Sequence, residues 1–130
     1  MDSRALGQLA EHIAADFLQT QGMKILLRNY TRRFGELDII AQDPSSNVLI
    51  IAEVRTRGTA DYGGAAASID RWKQRKITRT ALLLLQEHKN LARLPVRFDV
   101  IIVSDTRGRT PKVEWLKSAF EAAATESATT

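Results

Sequence analysis

GELDIIAQDPSSNVLIIAEVRTR, residues 35–57, is the stretch that decides the fold of this chain. It holds two runs rich in Ile, Leu and Val, at residues 35–40 and 49–57. Apolar runs of this length and composition predict β-strands. The segment between them contains DPSSN at residues 43–47, a short sequence typical of turns. The two strands are therefore predicted to form a hairpin.

Acidic and basic side chains interrupt both apolar runs. Side chains alternate between the two faces of a strand, so Glu36 and Asp38 are predicted to share one face of the first strand. By the same rule, Glu53 and Arg55 share one face of the second strand. In a hairpin that pairs in register, Asp38 comes within about 5 Å of Glu53. Carboxylates inside apolar strands are costly unless they are paired or bind a metal.

A structural ion pair is the simplest interpretation of these charges. Asp38 or Glu53 would pair with Arg55 or Arg57, and such pairs are common surface features. Here, however, three ionisable groups occupy alternating positions inside two apolar strands. That pattern favours a functional site over an isolated ion pair.

The composition indicates one domain in a reducing compartment. With 130 residues and 44% hydrophobic content, we expect a single domain at residues 1–121 and a frayed, small and polar tail at residues 122–130. No apolar run approaches the roughly 18 residues of a membrane span, so no membrane partner is expected. The absence of cysteine excludes thiolate metal sites and disulfides and fits the cytoplasm.

The histidine content and the net charge limit which metals and which macromolecular partners are expected. The two histidines, His12 and His88, lie far apart in the sequence, so a histidine-based zinc site is not expected. Any bound metal is expected to be a hard cation held by oxygen ligands. A net charge of +4 and an isoelectric point near 9.8 permit a polyanionic partner without requiring one.

Residues 3–21 are predicted to form the first helix. Ser3 is a suitable N-cap, and Gly22 supplies the stop. Glu11 borders the apolar stripe of this helix. Its spacing alone favours a solvated residue at the rim. The functional alternative is a third carboxylate that leans toward the acids of the sheet.

A second helix is predicted from Ser68, as its N-cap, to about His88. Lys73 falls on the same face as the apolar residues Ile69 and Ile77, four positions away on either side. Lysines usually avoid a core-facing stripe or extend out of it. This position would let Lys73 reach the acids on the sheet.

Cationic and aromatic residues around the second helix are candidates for nucleic-acid contact. Arg71, Arg75 and Arg79 recur every four residues and form a basic ridge, which is either a solvated face or a surface that follows phosphates. The glycine-containing loop of residues 56–67 precedes the helix. Its Tyr62 either stacks on a base or anchors packing.

The rest of the chain completes a mixed sheet. Strands are predicted at residues 24–30, 96–103 and 113–116, and Phe120 is expected to close a last helical turn. A strand, a long helix and another strand imply a crossover with at least one parallel pair. The predicted order α-β-β-β-α-β-β is that of an α/β fold with a central mixed sheet flanked by helices.

The chain resembles the YraN-like family of bacterial proteins from about Gly7 to Phe120. The residues that carry the resemblance are Gly7, Glu11, Ala14, Leu18, Gly22, Asn29, GELD at 35–38, EVRTR at 53–57, Tyr62-Gly63, Lys73, RFD at 97–99 and Glu114-Trp115. That family looks like a branch of the PD-(D/E)xK nuclease superfamily, similar in fold to archaeal Holliday junction resolvases. The resemblance therefore implies a three-layer α/β/α fold of the restriction-endonuclease type.

The resemblance also implies roles for individual residues. Asp38 and Glu53 match the metal-binding acids, Glu11 the helix-borne acid, and Lys73 a basic residue on the helix after the catalytic strands. The carbonyl of Val54 would join Asp38 and Glu53 as a hard oxygen ligand of Mg²⁺ or Mn²⁺.

One position departs from the superfamily pattern, which expects lysine where this chain has Arg55. Arginine stabilises charge but stays protonated and cannot act as a base. Three interpretations follow: Arg55 suffices electrostatically, Lys73 has taken over the task of the lysine, or the chain binds nucleic acid without cutting it.

Two classes of function therefore stand. The favoured hypothesis is a metal-dependent nuclease acting on DNA, in branched or damaged molecules. Arg57, Tyr62 and the ridge of Arg71, Arg75 and Arg79 would contact the substrate. The alternative is a non-catalytic nucleic-acid-binding or adaptor protein that keeps the fold. A homodimer through a sheet edge stays open in either case.

Overall fold

The computed structural model describes residues 3–57 and 69–122, and its elements follow the predicted order. Their bounds are α1 Ser3–Thr20, β1 Lys24–Arg32, β2 Gly35–Gln42, β3 Leu49–Arg57, α2 Arg71–Glu87, a 3₁₀ turn at Lys89–Leu91, β4 Val96–Ser104 and β5 Lys112–Phe120. Within this part of the chain, neither α-helix is long and apolar enough to cross a membrane.

The five strands form one sheet in the order β1-β2-β3-β4-β5. Neighbouring strands are antiparallel except β3 and β4, which run parallel from the Leu49–Val96 pair to the Arg57–Ser104 pair. The chain between this parallel pair contains α2, as a parallel connection requires. The predicted α/β class, with a mixed sheet and two helices, is confirmed.

The two helices cover opposite faces of the sheet, so the core has two layers. Small residues of α1 (Ala10, Ala14) pack with Ile50 and Ile101 of the central strands. On the other face, the residues of α2 that enter the core pack with alternate residues of the same strands; they are Ile77, Ala81 and Leu84, against Ile51, Val100 and Ile102. Because β3 and β4 are covered on both faces, their sequences are nearly continuous apolar runs.

The alternation of faces is interrupted in β1 and β2 at opposite positions. Leu37 packs on the α2 side, whereas Ile39, two residues later, packs on the α1 side. Across the pair, Tyr30 lies opposite Leu37 and Arg28 opposite Ile39, so the interruption falls at Asn29 in β1 and at Asp38 in β2. Asn29 has φ = 54°, in the left-handed region that asparagine tolerates better than most residues. This break removes Asp38 from the ordinary face pattern of its strand.

Two sequence predictions at the ends of elements are wrong. The N-cap of α2 is Asp70, whose carboxylate accepts a hydrogen bond from the backbone N–H of Lys73 at 2.8 Å. The predicted cap, Ser68, lies outside the described residues. Phe120 ends strand β5, which runs past the predicted limit at residue 116, and closes no helical turn. Its ring stacks on Phe98 at a centroid distance of 5.1 Å, and that contact continues the pairing of β5 with β4.

A buried carboxylate ties β5 to β4. Asp99 is fully buried and accepts two hydrogen bonds from the Arg97 guanidinium, both at 2.9 Å. Its oxygens also accept from the indole N–H of Trp115 at 2.8 Å and from the backbone N–H of Ser118 at 2.9 Å. A buried charge is tolerated only when it is paired and hydrogen-bonded in this way.

We predict that Asp99→Ala lowers the free energy of unfolding by about 3–5 kcal/mol, because it leaves the Arg97 charge and two N–H donors without their acceptor. Urea denaturation measures the change. Asp16→Ala is the matched control, because that carboxylate is 62% exposed on α1 and its contact with His12 contributes little. Equal losses for the two variants would contradict a structural role for the Asp99 network.

Candidate functional site

Asp38 occupies the point where β2 and β3 part. The backbone pairing of these strands runs from Gln42–Leu49 to Ile39–Ala52 and extends no further. Beyond that point the N–H of Val54 donates to Asp38 Oδ2 at 2.8 Å, so a side chain replaces the missing strand partner. The contact fixes the half-buried carboxylate in the opening between the strands.

Glu53 faces the same opening from β3. It is 6% exposed, and its carboxylate forms an ion pair with Lys73, with Nζ 2.8 Å from Oε1. Lys73 stands in the first turn of α2, where Asp70 caps the helix and fixes its start. The predicted reach of Lys73 to the acids of the sheet is thus present in the structure. Because Glu53 is buried, this partner is needed to offset its desolvation.

Two further carboxyl groups, of Glu11 and Glu36, form a cluster with Asp38 at the opening. One carboxylate oxygen each from Glu11, Glu36 and Asp38 can be chosen so that all three lie within 4.8 Å of one another. Asn29, at the break in β1, lies between two of these residues. In the amide orientation that satisfies both, its N–H group donates to Glu11 Oε1 and to Glu36 Oε1, the latter at 2.9 Å.

The crowding of acids changes their protonation. Burial and the neighbouring Glu53 carboxylate raise the pKa of Asp38 to about 8, against the lowering effect of the Val54 N–H. Burial and the neighbouring Glu36 carboxylate likewise raise the pKa of Glu11. Burial is the larger cause of both shifts, and the neighbouring carboxylates add to it.

Two adjoining clefts open on these acids. One, of about 400 Å³, is lined by Glu11 of α1 and by residues of β2, β3 and α2, including Asp38, Glu53, Val54, Arg55 and Lys73. The other, of about 270 Å³, shares Asp38, Glu53 and Lys73 with the first. It adds residues of the β1–β2 turn and of α2, namely Gly35, Glu36, Asp70, Trp72, Lys76 and Ile77.

The structure thus brings together the residues predicted for catalysis or metal binding. Glu11, Asp38, Glu53, Val54, Arg55 and Lys73 all line the larger cleft. Arg55 is half-buried there and forms no ion pair with any residue in the ranges 3–57 and 69–122. Lys73 is therefore the cation that contacts an acid of the site directly.

The residues predicted to contact nucleic acid are more dispersed. Arg57 pairs with Glu114 of β5 at 2.9 Å. Arg71, Arg75 and Arg79 are exposed on α2 and line neither of the two clefts at the acids. The Arg79 guanidinium instead lies over the Phe34 ring, 5.4 Å from its centroid. Tyr62 lies outside the described residues.

Glu36 and Asn29 are site residues that the sequence did not identify as such. Glu36 was placed on one face with Asp38, yet alternation alone did not show that both approach Glu11. The signal for Asn29 was its residue type, since asparagine within an apolar strand suggests a left-handed backbone position. The clustering follows from the break in alternation, which no sequence period reveals.

The arrangement has the chemistry of a hard-cation site. Carboxylate and carbonyl oxygens are the ligands that Mg²⁺ and Mn²⁺ prefer. Asp38, Glu53 and Val54 line one cleft, and one carboxylate oxygen each of Glu11, Glu36 and Asp38 lies within 4.8 Å of the others. Burial and the neighbouring carboxylates raise the pKa of Asp38, and a divalent cation would offset the negative charge of those carboxylates.

Comparison with known proteins places the site within one family. The model of the uncharacterised protein family UPF0102 matches residues 10–103. A UPF0102 protein of Psychrobacter sp. (strain PRwf-1) is 43% identical over 122 residues, which cover 88% of this chain and 86% of the relative. UPF0102 proteins of Pseudomonas putida KT2440 and Pseudomonas aeruginosa LESB58 are 39% and 38% identical, over 88% and 92% of this chain and 91% and 95% of their own lengths.

We predict that stability of the metal-free protein falls as the pH rises from about 4 to about 8, because of Asp38. An unfolded aspartate has a pKa near 3.9, whereas the folded carboxyl keeps its proton up to about pH 8. In that window the folded state binds more protons than the unfolded state, so raising the pH favours unfolding. Urea denaturation in chelator across this window should show Asp38→Asn gaining stability relative to wild type.

The matched control for that comparison is Asp16→Asn on the exposed face of α1. Its unfolding free energy should run parallel to that of wild type over the same window. Parallel curves for Asp38→Asn and wild type would show that the Asp38 carboxyl is not held protonated.

Proposed function

This chain belongs to the uncharacterised protein family UPF0102, and we propose that it is a metal-dependent nuclease of the PD-(D/E)xK type that hydrolyses phosphodiester bonds of DNA. The observation that carries the proposal is the gathering of Glu11, Glu36, Asp38 and Glu53 where β2 parts from β3, with a lysine bound to one of them. We assign branched or damaged DNA to it as substrate and the cytoplasm as its location.

Mg²⁺ or Mn²⁺ is the cofactor of this proposal. Asp38, Glu53 and the Val54 carbonyl would hold it, and Glu36 and Glu11 supply further oxygens beside them. When bound, such a cation neutralises charge on the phosphate and lowers the pKa of an attacking water.

Other residues of the chain would hold the acids in place and contact the phosphate. The Val54 N–H fixes the Asp38 carboxylate, and the Lys73 ammonium fixes the Glu53 carboxylate, so both acids are held before substrate arrives. Preorganised groups of this kind contribute to catalysis because they need no reorganisation during the reaction. Arg55 lines the same cleft and adds a permanent positive charge for the phosphate, but it cannot accept a proton.

The position of Lys73 favours one of the three interpretations of Arg55. A lysine missing from β3 is supplied from α2, with its Nζ 2.8 Å from the Glu53 carboxylate. Lysine is a compact charge that can lose its proton when crowded, which arginine cannot do. We therefore assign to Lys73 the task that a lysine at residue 55 would perform.

The second candidate is a nucleic-acid-binding or adaptor protein that does not cut its partner. Arg55 is the observation that favours it, since this chain lacks the expected lysine on β3. This candidate keeps the metal and nucleic-acid contacts of the first and differs in having no cleavage. A measurement of cleavage activity therefore distinguishes the two candidates.

We predict that Mg²⁺ or Mn²⁺ raises the melting temperature of the wild type and releases heat in a calorimetric titration, and that Asp38→Asn abolishes both effects. A ligand at 100 times its dissociation constant stabilises the folded state by about 2.7 kcal/mol. Because binding must displace the Asp38 proton, affinity should increase up to about pH 8. Asp16→Asn serves as the control, and identical titrations of wild type and Asp38→Asn would contradict a metal site here.

We also predict metal-dependent nicking of supercoiled plasmid and cleavage of a synthetic four-way junction, with Asp38→Asn inactive. Lys73→Ala should lower the rate by about 10²–10³-fold, the usual cost of removing one charge-stabilising donor. Arg55→Ala should be less damaging, and Arg55→Lys should keep or raise activity. Lys89→Ala, an exposed lysine beyond the far end of α2, should match the wild type.

The ranking of these variants decides between the candidates. If Arg55→Ala loses more cleavage activity than Lys73→Ala, the role of the expected lysine belongs to Arg55. If neither the wild type nor Arg55→Lys cleaves either substrate with Mg²⁺ or with Mn²⁺, the non-catalytic binding protein becomes the favoured candidate.

A further inference from the structure

Trp72 is an exposed aromatic side chain beside the acids. It is 66% exposed, and among the described residues Leu82 is the other exposed large hydrophobic side chain, at 45%. Trp72 stands in the first turn of α2, next in sequence to Lys73, and lines the cleft of about 270 Å³ together with Glu36, Asp38 and Glu53. An indole ring therefore shares a cleft with the acids and the lysine of the candidate site.

We propose that Trp72 is a stacking surface for one unpaired nucleobase of the substrate, next to the phosphate that is cut. This inference rests on the proposed function and narrows its substrate class. Aromatic side chains bind bases by stacking, which requires that a face of the base be free. In a continuous duplex both faces of each base are covered by neighbours. The substrate is therefore DNA with an unpaired base at the site, as at a fork or a flap.

The surroundings of the ring suit a nucleotide. Lys76, one turn further along α2, lines the same cleft, and its Nζ lies over one face of the Trp72 ring, 5.9 Å from the ring centroid. The base would therefore stack on the opposite face of the ring. A base on the ring would thus have a cation at hand for its phosphate. The cleft, of about 270 Å³, is the space beside the ring that a planar base would enter.

The helical turn that carries the ring is held from two sides. Asp70 caps α2 and holds the backbone of its first turn through the Lys73 N–H. At the β1–β2 turn, Gly35 faces α2: a Cβ there would be in van der Waals contact with the helix, 3.7 Å from Cβ of Lys76 and 3.5 Å from Thr80 Oγ1. These contacts hold the turn and the helix together, so the two walls of the cleft keep their spacing.

The exposed apolar residues of α2 do not form one surface for a protein partner. Trp72 and Leu82 are ten residues apart, which places them about 15 Å apart along the helix axis and on different faces. A helix that docks onto a protein presents apolar residues at intervals of three and four. Trp72 instead lines a cleft together with charged residues of the candidate site.

The test measures binding of a labelled single-stranded oligonucleotide and of its blunt duplex by fluorescence anisotropy, with Ca²⁺ as the metal. Wild type should prefer the single strand. Trp72→Ala should weaken single-strand binding roughly tenfold or more, the usual effect of losing one stacking partner, and bring it close to duplex binding. Trp72→Phe should keep most of the affinity, and Leu82→Ala should match the wild type.

An abasic version of the oligonucleotide sharpens the test. Removing the base that stacks should weaken wild-type binding as much as Trp72→Ala does, and it should have no further effect on that variant. Trp72→Ala with wild-type affinity for the single strand would overturn the inference, leave the nuclease proposal in place, and make Trp72 a candidate contact for a protein. A wild type that binds neither oligonucleotide would overturn both.

Discussion

The hydrogen bond from the Val54 N–H to the Asp38 carboxylate is the contact on which the candidate site depends. An antiparallel pair normally satisfies its backbone donors strand to strand, yet β2 and β3 stop pairing at Ile39 and Ala52. A donor exposed by that separation costs free energy unless it finds an acceptor. Asp38 supplies the acceptor, so the Val54 N–H stays hydrogen-bonded where the strands diverge. The opening between them is what admits Glu11 from one helix and Lys73 from the other.

The opening concentrates charge in a way that the fold alone would not favour. Glu53 is offset by Lys73, whereas Glu11 and Glu36 share one neutral donor, the Asn29 amide, and Asp38 accepts from the Val54 N–H. Burial, first, and the neighbouring Glu53 carboxylate, second, raise the pKa of Asp38. Buried, mutually repelling acids reduce stability, and their presence at the mouth of a cleft is the usual mark of a functional site.

Much of the fold followed from the apolar runs, because strands covered on both faces have sequences that are hard to mistake. The approach of Asp38 to Glu53 followed from the hairpin, and that of Lys73 followed from helical spacing. The meeting of Glu36 with Glu11 did not, since it depends on the break at Asn29 and Asp38. The N-cap was misplaced because serine and aspartate, two residues apart at 68 and 70, cap equally well.

The bond between Asp99 and the Ser118 N–H has a consequence for how the sheet ends. Ser118 takes φ = 53°, which turns its donor toward Asp99 and away from the outer side of β5. An edge strand can pair with a strand of another chain when its free N–H and C=O groups are regularly spaced and its side chains are uncharged. Here the edge is irregular at Ser118 and carries the exposed lysines Lys112 and Lys117. Strand addition at β5 is thereby discouraged, which protects the protein from growing into sheet aggregates through that side.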